Sequence, residues 1–507
     1  MTRPIDARPI DFGPNHELEP GVSMLWQRFS EMASIPRQSR NEGGMIDYVR
    51  GFAEQRGFEH IRDGAGNVLI TVPATPGLES SLGVVIQAHM DMVCVPDGAE
   101  GPAGKGVEPE VDESGEWVRA KGTTLGADNG IGLATALALV DDNVQHGPLK
   151  ILATVDEETG LNGASNLNFE GVNTSGDMFL LNLDTEEDDE LTIGCGGAGN
   201  TEIVIPADVE PIGNRRLVRV SVNNLMGGHS GVVIAEPRQN AIKVLETALG
   251  SSFLSLPNLD MRLVQIKGGD ARNAIPRDSE AVVAIDPNSL SSFEDFIALM
   301  QQQVRDSVSL DEEKGVEIST STDVHQSEYH SVLSGGSTMQ TLNLIRELPH
   351  GVKRMSADVP GLPETSTNLG LVSMDDRGVV ITMLTRSLID DDRDTLRGEI
   401  RSIVERSGAQ ARNYGEYPGW KPEPESELVA LVKGEYTALT GKEMKVGGIH
   451  AGLECGVLLG NPSFVHMQAV SIGPKIEGAH TVQERVSIRS VDQTYKLLRN
   501  IVTRIAA

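Results

Sequence analysis

Cysteine is scarce: Cys94, Cys195 and Cys455 are the only ones in 507 residues. They are too few and too scattered for a disulfide framework or a cysteine zinc site, which fits a reducing compartment and predicts a cytoplasmic protein. Basic residues are also short, 43 Lys plus Arg against 73 Asp plus Glu, for a formal charge of −30. That field repels nucleic acid and anionic membrane, so neither is an expected partner. No apolar run approaches the roughly 18 residues of a membrane helix. Residues 1–20 repeat RPID at 3–6 and 8–11 and have no apolar core, so they read as a flexible N-terminal arm rather than a signal peptide. HExxH does not occur, which leaves a single-zinc thermolysin-type site without support.

The chain is too long for one compact core, and roughly two to four domains are expected. Helical patterns in VSMLWQRFSEMASI and NEGGMIDYVRGFAEQRG precede a strand at 66–74 and a fully apolar run at 82–89. Residues 96–116, rich in Gly, Pro and acid, read as a surface loop. A helix at 129–142 and strands in PLKILATVD and MFLLNLD complete an α/β pattern, a mixed sheet flanked by helices, over 21–199. Past Gly194 shorter strands of alternating polarity begin. Strands 216–223, 261–267, 280–286 and 316–322 with helices 238–249 and 291–306 give a ferredoxin-like α+β order. A similar order follows, with helices 337–348 and 393–406 and strands 367–374, 378–386 and 409–416, and reads as a second, related subdomain. The expected domains are therefore 21–199, an insertion at 200–416, and 417–507, with hinges at 195–215 and in the Pro-rich YPGWKPEPES, 417–426.

Between Gln87 and Glu187 the chain spends acidic and histidine side chains where a core would spend leucines. The clusters are QAHMDMV (87–93), LGADNGIG (125–132), VDEETG (155–160) and LNLDTEE (181–187). Two of them end apolar runs that read as buried parallel strands, the place where open α/β sheets bind ligands. On a strand, His89 and Asp91 point the same way, and such a carboxylate can orient a metal-binding histidine. Taken alone, this pair is more often structural, and Asp128 entering a helix is more often a cap. Glu157 and Glu158 repel each other unless a cation or proton lies between them. Joined by Asp184 and the late His480, the set supplies two histidines and three carboxylates besides Glu157. One bridging carboxylate then gives each of two divalent ions three protein ligands and an open position, as in catalytic zinc sites. Glu157 is left over as a general base.

These residues lie within motifs that resemble the aminoacyl-histidine dipeptidases, also called cytosol non-specific or Xaa-His dipeptidases, of the di-zinc peptidase group that includes carnosinases. The resemblance runs from about Pro36 through PRQSRNE, QAHMDMV, GEWVRAKGTTLGADNGIG, GGHSG, RNAIPR, LPETSTNLG, RSLID, YPGWKP, IHAGLECG and GAHTVQERVSIRS. It implies a di-zinc peptidase catalytic domain with an inserted lid and dimerisation domain, a homodimer, and hydrolysis of dipeptides. It implies that His89, Asp128 and Asp184 hold one metal and that Asp128, Glu158 and His480 hold the other. Asp91 supports His89, and Glu157 is the base. The expected cofactor is two Zn²⁺, with Co²⁺ or Mn²⁺ compatible with the same ligands. In the insertion the resemblance implies His229 at the oxyanion, Asn273 at the substrate backbone and Arg386 at the free carboxylate. His450 and Glu454 receive no role. The alternatives are a related di-zinc tripeptidase, an N-acyl amino acid amidohydrolase, and a non-catalytic scaffold with the peptidase fold.

Overall fold

The structure, a computed structural model, describes residues 8–13, 17–95, 105–169, 174 and 176–507. Parts of the expected arm (1–7, 14–16) and of the expected loop (96–104) lie outside the described residues. The chain divides into two compact units. The first comprises Met1–Cys195, Trp420–Gly448 and Leu453–Ala507, and the second Gly196–Gly419 and Ile449–Gly452. The boundaries differ from the expected 199/200 and 416/417, and there is a physical reason. Strand Gly197–Ile205 pairs along its whole length with Gly378–Ser387, starting at Gly197 opposite Ser387, so residues 196–199 belong with the second unit. Residues 197–205, expected as part of a hinge, are thus held in a sheet.

The first unit is built on an eight-stranded mixed sheet. Its order is Glu59–Arg62, Val68–Val72, Leu149–Thr154, Gly83–His89, Asp177–Asn182, Gln468–Ser471, Glu190–Cys195 and Lys445–Ile449. The four strands from Leu149–Thr154 to Gln468–Ser471 run parallel. Gly83–His89 and Leu149–Thr154 are buried at every position, which is why their sequences are continuous apolar runs rather than alternations. Helix Ala127–Asp141 packs on Gly83–His89 and on helix Pro20–Ala33. It is apolar nearly all round, and all but three of its residues are buried. The expected arm is partly packed: Ile10 is buried, and the Phe12 ring lies 5.2 Å from Trp26 of helix Pro20–Ala33. The expected loop also carries structure. Pro109–Val111 and Trp117–Ala120 form a hairpin in a four-stranded sheet completed by Arg485–Ser487 and Ile476–Glu477.

The second unit is built on a nine-stranded sheet that runs through both expected α+β halves. Eight strands follow the order Glu317–Ser321, Arg216–Asn223, Ser279–Ile285, Arg262–Gly268, Pro363–Asp375, Gly378–Ser387, Gly197–Ile205 and Gln410–Tyr417, and Gly351–Met355 pairs with Pro363–Asp375. The join is Gly268 opposite Val372, which fuses the two α+β halves edge to edge. Leu245, Phe293, Ile345 and Ile400, one from each of its four long helices, lie in the shared core.

Candidate active site

Three parallel strands of the first unit deliver most of the polar cluster from their carboxyl ends. His89 is the last residue of Gly83–His89, Glu157 and Glu158 follow Leu149–Thr154, and Asp184 follows Asp177–Asn182. Asp128 lies at the start of helix Ala127–Asp141, where its own dihedrals are non-helical (φ −80°, ψ 113°). That kink lets its carboxylate serve two directions. Oδ1 is 2.9 Å from His89 Nε2, and Oδ2 is 3.1 Å from His480 Nε2. Asp184 Oδ1 stands 3.4 Å from the same His89 nitrogen, and Glu158 Oε2 is 2.9 Å from the same His480 nitrogen. The donors thus fall into two triads sharing Asp128: His89, Asp128, Asp184 and His480, Asp128, Glu158.

Asp91 supports this cluster from below. Its carboxylate lies 3.5 Å from His89 Nδ1 and accepts hydrogen bonds from Ser39 Oγ and from the backbone N–H groups of Glu157 and Glu158. It therefore orients the histidine and fixes the turn carrying the glutamates. Burial opposes its charge, but His89 and these donors hold its pKa below the usual carboxylate range.

Electrostatics distinguish Glu157 from its neighbours. Burial pushes Glu157 well above the ordinary range, and the charges of Asp184, Glu454 and Glu158 add to that while His89 opposes it. Asp184 is raised to about 6, chiefly by burial. His480 is raised to about 11 by its hydrogen bonds to Asp128 and Glu158. Burial works against a charge on His89, yet Asp184, Asp128 and Asp91 outweigh it and keep the ring protonated. Divalent ions compete with protons for the lone pairs of such carboxylates and imidazoles.

The donor set suits such ions. One nitrogen of His89 and oxygens of Asp128 and Glu158 converge within 4.8 Å. Glu158 Oε1 is buried with no hydrogen-bond partner, an acceptor that a cation satisfies. A second acidic group, Glu42, Asp91 and Asp156, also converges. Its oxygens already accept from Ser39 and from the N–H groups of Arg40, Asp156, Glu157 and Glu158, so it reads as scaffolding.

The remaining expected residues belong to the second unit. His229 on Gly228–His229 pairs opposite Ala274, and Ser230 N–H donates to Asn273 O, so His229 and Asn273 are neighbours. Burial and the charge of Arg386 lower the His229 pKa, leaving a neutral ring. Arg386 is only 4% exposed, its Nη1 donates to Tyr417 Oη, and its Nε has no partner. No carboxylate of the described residues pairs with it. A buried cation without a counter-charge is costly. His450 Nε2 lies 2.7 Å from the hydroxyl of Ser366, which pairs across the sheet with Arg386.

Sequence reasoning passed over a buried polar chain beneath the cluster. Glu454, with no exposure, accepts from Gln87 Nε2 (2.5 Å) and Thr154 Oγ1 (2.7 Å). Gln87 Oε1 accepts from Asn182 Nδ2, and Asn182 Oδ1 accepts from the N–H of Asp184 and from Ser471 Oγ. The signal was present: Gln87 and Asn182 are polar residues in apolar strands, each two positions before His89 or Asp184 and so on the same face.

Comparison with known proteins meets this geometry. The model of peptidase family M20/M25/M40 matches residues 85–504. The chain belongs to this peptidase family. It is 37% identical over 491 residues to the cytosol non-specific dipeptidase of Escherichia coli (strain K12), covering 95% of this chain and 98% of that protein. Its fold matches the crystal structure of aminoacylhistidine dipeptidase from Vibrio alginolyticus with a TM-score of 0.83 at 35% identity, over 95% of this chain and 96% of that one. Aminopeptidase PepT from Bacillus cereus shares the fold at a TM-score of 0.54 and 17% identity, over 96% and 99%. The family member described here is thus similar over nearly its whole length to two dipeptidases.

Proposed function

We propose that this peptidase hydrolyses dipeptides, Xaa-His among a broader range, at a centre holding two divalent metal ions, with Glu157 as general base. The reading is carried by the Asp128 carboxylate dividing its oxygens between His89 and His480. Two relatives named as dipeptidases support the substrate class. His89, Asp128 and Asp184 would hold one ion and Asp128, Glu158 and His480 the other; Zn²⁺ fits these donors, as do Co²⁺ and Mn²⁺. When bound, such ions supply Lewis acidity and acidify water. Glu157 as the carboxylate would take a proton from the attacking water and hand it on to the leaving amine, and its burial raises its affinity for that proton in between. Asp91 keeps His89 in the orientation that directs Nε2 to the cluster. Arg386 takes the free carboxylate of the dipeptide, Asn273 donates to its backbone, and neutral His229 donates to the oxyanion. A reducing cytoplasm, supported by the scarcity of cysteine and by the similarity to a cytosol dipeptidase, completes the reading, together with the homodimer that the family resemblance implies.

A substrate panel after reconstitution with Zn²⁺, Co²⁺ or Mn²⁺ tests it. Hydrolysis of β-alanyl-histidine and Gly-Xaa dipeptides, with little action on tripeptides or N-acyl amino acids, is expected. Less than one bound metal per chain together with no dipeptide hydrolysis overturns it. Sedimentation at several concentrations reads the assembly.

A further inference from the structure

Two buried charged residues outside the cluster meet on one short stretch of backbone. Glu484, 2% exposed, accepts from three successive N–H groups: Leu125 (2.8 Å) and Gly126 (3.1 Å) to Oε2, and Ala127 (2.7 Å) to Oε1. Arg37, 1% exposed, takes the opposite polarity of the same stretch, with Nη2 donating to Gly126 O. Its Nη1 donates to Met90 O and Asp91 O at 3.2 Å each. Residues 125–127 lead directly into Asp128, Met90 and Asp91 follow His89, and Glu484 closes the loop that carries His480. Arg37 and Glu484 therefore join four distant segments at one point.

The surrounding sequence is shaped to this contact. Gly126 has φ 70°, and a Cβ there would collide with Arg37 Nη2 and come within 2.6 Å of Met92 Sδ. At Gly130 a Cβ would lie 2.6 Å from the same Arg37 nitrogen. Two glycines thus clear room for one guanidinium. Burial works against the charge of Arg37, and Glu484 is the foremost of the charges that offset it. Both oxygens of Glu484 accept from backbone N–H groups and both terminal nitrogens of Arg37 donate to backbone carbonyls, so their described hydrogen bonds go to the main chain.

We propose that Arg37 and Glu484 are positioning residues that grip the backbone at 125–127 from its carbonyl and N–H sides, setting the Asp128 carboxylate midway between His89 and His480. The proposal rests on the metal-centred reading above. Because Asp128 serves both triads, a displacement of this turn loosens both metal positions together. Supporting contacts of this kind are worth roughly 10–100-fold in metal affinity or activity when removed.

The test uses the full-length protein and Zn²⁺ alone as probe. Zn²⁺ dissociation constants by competition with a chromophoric chelator, dipeptide kcat and KM, and thermal unfolding are measured for wild type, Glu484→Gln, Arg37→Met and the double variant. Glu484→Gln is isosteric and keeps one acceptor oxygen, so it disturbs folding least. The expected result is a cooperative unfolding transition, both Zn²⁺ equivalents weakened by about 10-fold or more, a fall in kcat with KM nearly unchanged, and a double variant no worse than the poorer single one. Variants that are less stable but hold Zn²⁺ and turn over as wild type does overturn the proposal and leave a purely structural role. So does loss of only one Zn²⁺ equivalent. Wild type without bound Zn²⁺ overturns the metal-centred reading itself, so the two failures are distinguishable.

Discussion

Glu157 and Glu158 are neighbours in sequence, yet their carboxylates meet different surroundings, which is the basis of the different tasks proposed for them. Glu158 Oε2 meets His480, whereas Glu157 is left buried among like charges with its proton favoured. Glu157→Ala should lower kcat by about 10²–10⁴-fold while metal content stays at the wild-type level, as elemental analysis and kinetics on one preparation will show. Asp128→Ala, removing the shared carboxylate, should lose metal and activity together; two metals retained would mean that the triads are wrongly drawn. Arg386→Met should lower kcat/KM for dipeptides by about 10- to 100-fold, mainly through KM, since a hydrogen bond to a charged group contributes about 1.5–3 kcal/mol. The free-carboxylate assignment fails if a dipeptide amide, lacking that charge, is hurt as much as the acid. Most of these residues were legible because acids and histidines at the ends of apolar strands stand out. The support was not. Arg37, Ser39 and Glu484 resemble surface residues in sequence, and only their burial or partners reveal them.

At the scale of elements, the hairpin from Ile476 to Ser487 brings the last histidine to the strands. Its two strands pair with each other, the second also pairs with Trp117–Ala120, and His480 occupies the connecting loop in the left-handed region (φ 63°). Asp156, before the glutamate pair, is left-handed too (φ 50°). Sequence patterns do not announce such residues, because local preference disfavours them and tertiary contacts impose them. Long amphipathic helices such as Leu290–Ser307 were readable from their periodicity, whereas Gly197–Ile205 was not, since its glycine-rich start carries no alternation. Between helix Gly335–Glu347 and strand Gly351–Met355 lies half-buried His350, whose ring nitrogen is 3.4 Å from both Asn240 Nδ2 and Leu369 N. Burial, with help from Lys243, lowers its pKa from 6.5 to about 4. The folded state therefore binds fewer protons than the unfolded one in that window, so stability is full above pH 6.5 and is lost as pH falls through about 4. Urea unfolding across this range should show a shallower acid loss for His350→Gln than for wild type; parallel curves would place the titration elsewhere.

Over the whole molecule, acidic groups outnumber basic ones, and the polar cluster concentrates like charge at the ends of one sheet. Removing metal by chelation should lower the thermal midpoint, and Zn²⁺ at 100 times its dissociation constant should restore about 2.7 kcal/mol for each site filled. An unchanged midpoint on reloading would show that the ions bind without linkage to folding. No described helix is long and apolar enough to cross a membrane. Sequence alone determined the donor types, the strands that present them, the insertion between Asp184 and His480, and the family resemblance, because buried parallel strands and polar strand ends write themselves as local patterns. Only the tertiary structure decided that the insertion is built on one continuous sheet, that residues 196–199 and 449–452 belong with it, and that each Asp128 oxygen faces its own histidine. Those outcomes depend on contacts between residues hundreds of positions apart and on left-handed turns, and periodicity encodes neither.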